Sequence, residues 1–74
     1  MAKLPSVSEK IAVKAFTKIG YNVVRQKGSH VRLLHPNRKP LTIPNHRLLG
    51  KGLLRKLLRD ARLSVDDFID LLKN

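Results

Sequence analysis

The chain has 74 residues, with sixteen Lys and Arg against five Asp and Glu, no cysteine and a net charge of +11. That composition excludes disulfide staples, thiol nucleophiles and cysteine zinc sites, and no apolar run nears the roughly 20 residues of a membrane span. A chain this short is expected to form one domain over residues 1–74, burying only about 60% of its unfolded surface. The charge is uneven. Residues 1–59 hold fourteen of the basic residues and a single acid, Glu9, whereas residues 60–74 hold four acids and two basic residues. Such a field attracts polyanions, so nucleic acid is the first partner to consider. The start, Met1-Ala2-Lys3-Leu4-Pro5, lacks a signal-peptide apolar stretch, and a cytoplasmic location with no membrane partner is expected.

Ser6-Val7-Ser8-Glu9 has the spacing of a capping box, with Ser6 as N-cap. Val7, Ile11, Ala12, Ala15, Phe16 and Ile19 then mark one face of a helix that Gly20 stops. Tyr21 to Lys27 and His30 to His35 read as two strands. Gly28-Ser29 between them suits a type II′ hairpin turn with glycine first. Pro36 to Pro40 is a second turn, and Leu41-Thr42-Ile43 a short third strand stopped by Pro44. Leu53, Leu54, Leu57, Leu58 and Ala61 form one helical face, with Lys51, Arg55, Lys56 and Arg59 opposite. Ser64 caps a last short helix that has Asp66 and Asp67 in its first turn. The expected fold is α+β: α-β-β-β-α with a short extra C-terminal helix, the helices on one face of a three-stranded antiparallel sheet.

Little in the chain can do metal or cofactor chemistry. It has no glycine-rich phosphate loop, no His-x-x-x-His pair and no carboxylate cluster, so neither metal nor cofactor is expected. With only Phe16, Tyr21 and Phe68, two of them read as core, a base-stacking platform is not expected either. Histidine remains. His35 and His46 fall in turns, where the ordinary reading is surface. His30 opens a strand, and alternation groups it with Arg32 on the open face if Val31 and Leu33 face the helices. Arg25 and Lys27 end the partner strand nearby. An imidazole set among cations suits a general base beside a phosphodiester.

Ser6 and its helix, Gly20-Tyr21, Val24-Arg25-Gln26-Lys27-Gly28-Ser29-His30, Ile43-Pro44-Asn45-His46 and Gly52 to Ala61 together resemble the HicA (YcfA-like) toxins of toxin–antitoxin systems. The likeness spans about residues 6 to 72. It implies a fold like that of double-stranded-RNA-binding domains, metal-free cleavage of mRNA, and a HicB-type antitoxin partner. The family's catalytic histidine, in its Gly-Ser-His motif, maps onto His30. Two positions depart from the pattern: Leu53 replaces a common Thr or Ser, and Arg62 a common Gly that favours a left-handed C-cap.

The first functional reading is therefore a metal-independent endoribonuclease, with His30 as base. Lys27, Arg32 and Arg25 would clamp the phosphate, and the Gly28 and Ser29 N–H groups would assist. Water or His46 would be the proton donor. A non-catalytic RNA-binding module of the same fold is the alternative, since a basic face needs no histidine to bind RNA. A helix-turn-helix DNA binder is disfavoured because its recognition helix would carry Asp66, Asp67 and Asp70.

Overall fold

The computed structural model describes residues 3–73. The elements are α1 (Glu9–Thr17), β1 (Asn22–Lys27), β2 (His30–Leu34), β3 (Leu41–Pro44), α2 (Lys51–Asp60) and α3 (Val65–Lys73). This is the expected α-β-β-β-α order with the extra helix. The three strands form one antiparallel sheet in the order β1-β2-β3.

The first helix starts later than its sequence signal suggested. Ser8, not Ser6, is the N-cap, its hydroxyl accepting from the Ile11 N–H at 3.3 Å. Val7 lies before the helix, buried, and its carbonyl accepts from the Leu49 N–H at 2.7 Å. Val7 and Ala12 occupy the two positions of a hydrophobic staple, and both sit in the core. Anchoring Val7 fixes the chain's entry and leaves Ser8 as the residue able to cap. At the far end Gly20 adopts φ +104°, and a Cβ there would lie 3.0 Å from the His35 Nε2. Both the turn and the close approach of the ring require glycine.

The Gly28-Ser29 hairpin has the expected form. Gly28 carries φ +58° while Ser29 has no positive φ, the II′ rather than the I′ pattern. In β2, exposed His30, Arg32 and Leu34 alternate with buried Val31 and Leu33, and β3 buries Leu41 and Ile43. All six residues of β1 stay exposed. The core therefore lies over β2 and β3, and β1 is an overhanging edge. A bulge between Val23 and Arg25 inserts Val24 as the extra residue.

Leu54, Leu57 and Leu58 bury the inner face of α2, and Phe68 that of α3. Ser64 caps α3 as expected, accepting from the Asp67 N–H at 3.0 Å. All three aromatics are core. Phe16 meets Tyr21 edge-on at 5.8 Å and Phe68 at 5.7 Å, so Tyr21 joins the two phenylalanines inside. The Tyr21 hydroxyl donates to the Lys39 carbonyl at 2.8 Å. Burial pushes its acidity constant above the ordinary tyrosine range, opposed by the Arg38 guanidinium and aided by Asp60.

The end of α2 departs from the glycine pattern without losing its geometry. Arg62 takes the left-handed conformation itself, φ +57°. The Leu63 N–H donates to the Leu58 carbonyl at 2.8 Å, and the Arg62 N–H to that of Arg59 at 3.1 Å. Those two bonds are a Schellman motif with an arginine where glycine is favoured. Arg38 donates from Nη1 to the Ala61 and Arg62 carbonyls, tying the β2–β3 turn to this end. No helix among the described residues is long and apolar enough to cross a membrane.

Candidate functional site

The antiparallel register assembles the site. Lys27 pairs with His30 and Arg25 with Arg32 across β1 and β2, while Arg32 pairs with Thr42 and His30 with Pro44 across β2 and β3. Val31 and Leu33 are held in the core, so their neighbours must face the opposite side. Arg25, Lys27, His30, Arg32 and Thr42 thus line one open cleft of about 210 Å³ on the bare face of the sheet. No carboxylate lines it. The Arg32 Nη1 donates to the Thr42 Oγ1 at 3.3 Å, which steadies the guanidinium toward the cleft. The Ser29 Oγ lies 3.4 Å from the His30 Nδ1.

Four of the expected side chains, Arg25, Lys27, His30 and Arg32, are therefore brought together. Gly28 and Ser29 form the hairpin tip beside them, and the Ser29 carbonyl accepts from the Asn45 N–H at 2.5 Å. His46 is not part of this group. It lies in the loop after β3 and lines a separate cleft with Ser8, Glu9, Lys10, Asn45 and Arg47. Its backbone is committed to the fold, its carbonyl accepting from the Glu9 N–H at 3.2 Å.

His35, read from sequence as an ordinary surface histidine, is a structural one. Its Nδ1 accepts from the Asn37 N–H at 2.9 Å, so its Nε2 is the donor to the Ile19 carbonyl, also at 2.9 Å. The ring packs 4.9 Å from Tyr21. It joins the end of α1 to the β2–β3 turn and stands apart from the cleft. Thr42 is the site residue that sequence reasoning missed. Alternation between buried Leu41 and Ile43 signals its outward direction, but only the register puts it beside Arg32.

Such a face can hold a phosphodiester between cations and offer it one imidazole. Among the described residues no three His, Cys, Asp or Glu side chains come together as a metal site would require. Among curated proteins no significant match to the chain is found. Residues 10–63 match the family described as HicA toxin of bacterial toxin-antitoxin. That match runs from α1 through β1, β2, β3 and α2 to the Schellman turn, taking in the whole cleft. The chain belongs to the HicA family of bacterial toxins.

Proposed function

We propose that this toxin is a cytoplasmic, metal-independent endoribonuclease, an mRNA interferase, with His30 as its general base. The observation that carries the reading is the convergence of Arg25, Lys27, His30 and Arg32 on one open cleft with no carboxylate in its lining. RNA supplies its own nucleophile, the 2′-hydroxyl, so the protein needs only a base, a clamp and in-line positioning. His30 takes the 2′-hydroxyl proton, and the 2′-oxygen attacks the adjacent phosphorus. The bond to the 5′-oxygen breaks as that oxygen takes a proton from water. The products are a 2′,3′-cyclic phosphate and a free 5′-hydroxyl. Lys27 and Arg32, steadied by Thr42, stabilise the charge gathering on the non-bridging oxygens, and Arg25 holds the flanking phosphate. The hairpin N–H groups of Gly28 and Ser29 add donors at the tip. The proposed step takes the leaving-group proton from solvent, because His46 lines a separate cleft, and the enzyme should accordingly be slow.

A HicB-type antitoxin is the proposed protein partner. The cations that draw RNA also draw an acidic protein, and Val24 and Leu34, 51% and 40% exposed, supply apolar contacts on the same sheet. Toxin and antitoxin then compete with RNA for one face.

The test is His30→Ala. The variant should fold, bind RNA as the parent does and lose cleavage by about 10²–10⁴-fold, the usual contribution of a general base. Parent activity should persist in excess chelator. Cleavage retained by His30→Ala overturns the assignment. An intact chain that binds RNA without cutting it supports the binding-module reading instead.

A further inference from the structure

The cations of α2 lie on a different face from the cleft. Lys51, Gly52, Arg55, Lys56 and Arg59 are the exposed positions of this helix, and Leu54, Leu57 and Leu58 turn the other way. Lys51, Arg55 and Arg59 recur every four residues, a stripe with a rise of about 6 Å per step. Neighbouring phosphates on one RNA strand are separated by a similar distance. Among the described residues none of these cations has a carboxylate or carbonyl partner. Arg62 follows at the C-terminal end, a cation kept where left-handed backbone favours glycine. The acids Asp66, Asp67 and Asp70 all belong to α3, and Asp66 shares a cleft with Lys51 and Arg55, so that acidic helix bounds the stripe on one side.

Along the chain, only a short loop separates the two basic surfaces. β3 ends at Pro44 opposite His30, and Asn45 is bonded to the hairpin tip. Exposed His46, Arg47 and Leu48 then lead to Gly50, the N-cap of α2. Cations therefore run from Arg32 and Lys27 across the hairpin end, past Arg47, to Lys51, Arg55, Arg59 and Arg62.

We infer that this track is an exosite for long single-stranded RNA. The substrate's flank leaves the cleft over the Asn45–Leu48 loop and lies along α2, so the toxin prefers long chains to short oligonucleotides. The direction of the track rests on the endoribonuclease reading above; the binding itself does not. Polyanion fits better than protein because the stripe presents no exposed large apolar side chain, and Leu48 precedes it in the loop. Protein interfaces draw their energy from apolar and aromatic anchors, whereas phosphate tracking needs charge alone. A tetranucleotide has too few phosphodiesters to engage both the cations of the cleft and those of the α2 stripe.

The experiment measures RNA binding against salt on the His30→Ala background, which separates binding from cleavage. The probes are long poly(U) and a uridine tetranucleotide. Replacing Lys51, Arg55 and Arg59 by Gln should lower the poly(U) salt slope by about 2 units, at about 0.7 per phosphate contact, and leave the tetranucleotide unchanged. Arg62→Gly should lower it by about 0.7 without destabilising the fold, so the loss cannot be unfolding. Replacing Lys14, Lys39 and Lys73 by Gln, an equal loss of net charge elsewhere, should leave the slope in place. An unchanged slope in the α2 triple variant overturns the exosite, as does an equal effect of the control triple or an equal loss on the tetranucleotide. Lost antitoxin affinity with intact RNA binding overturns it too, by giving the stripe to the protein partner. A parent that binds RNA through α2 but cuts none would refute the catalytic reading alone.

Discussion

Arg62 offers a measurable trade between backbone strain and side chain. An L-residue in the left-handed region gives up about 1–2 kcal/mol relative to its usual conformations. Arg62 sits there with φ +57°, held by the two Schellman bonds from Leu63 and Arg62 to Leu58 and Arg59. Glycine removes that strain but frees the unfolded chain, at a cost of about 0.4–1 kcal/mol. The net expectation for Arg62→Gly is stabilisation of about 0.5–1 kcal/mol. For a domain of this size that raises Tm by about 3–6 °C. No hydrogen bond of the Arg62 side chain is lost, and its carbonyl remains available to Arg38. Urea unfolding followed by circular dichroism should show a higher midpoint with an unchanged slope. Arg62→Ala is the control, since it removes the same charge but keeps a Cβ in the strained region, and it should stay within about 0.5 kcal/mol of the parent. A glycine variant no more stable than the alanine variant would refute the strain argument.

Other outcomes follow from the same geometry. Gly20→Ala meets both φ +104° and the His35 ring at 3.0 Å, so thermal unfolding should report a loss of at least about 1–2 kcal/mol. Tyr21→Phe leaves the Lys39 carbonyl without its donor and should cost about 0.5–1.5 kcal/mol at neutral pH. Because burial raises the Tyr21 acidity constant, its neutral form is favoured in the fold. The unfolded hydroxyl therefore ionises first, and parent stability is complete below pH of about 10 and falls as pH rises beyond it. Tyr21→Phe lacks that fall, so the two melting curves should converge in alkali; a constant gap would contradict the reasoning. Replacing Lys27 and Arg32 together by Ala should flatten the RNA salt slope by somewhat more than one unit and loosen the antitoxin. Lys73→Ala should do neither, and full-affinity binding of RNA and antitoxin together would disprove a shared face.

Local chemistry was written plainly in the sequence. The Val31 and Leu33 alternation predicts which way His30 and Arg32 face, and a two-residue turn with glycine first fixes the pairing that adds Arg25 and Lys27. The N-cap is not legible in the sequence, because Ser6 and Ser8 both suit the role. What separates them is Val7, whose burial and bond to Leu49 are made across more than forty residues of chain. The roles of His35 and Thr42 are tertiary in the same sense. A histidine beside Pro36 looks like a surface residue until the Ile19 carbonyl comes within reach of its ring. Thr42 becomes a site residue only when register sets it against Arg32. The position of His46 likewise depends on how the loop after β3 leaves the sheet.

The overhanging edge strand has a kinetic consequence. β1 is exposed along its whole length, so the ladder to β2 holds it in place while the core clamps β2 and β3. Segments with few buried contacts open at free energies well below global unfolding. The cleft straddles that boundary: His30, Arg32 and Thr42 ride on the firm strands, Arg25 and Lys27 on the loose one. Amide exchange should be fastest in β1, and each local opening removes two of the three cations that line the cleft while His30 stays in place. Any anion or protein that bridges Lys27 and Arg32 staples this strand down, so occupancy of the cleft is also written in the exchange rates of a strand that lies outside the core.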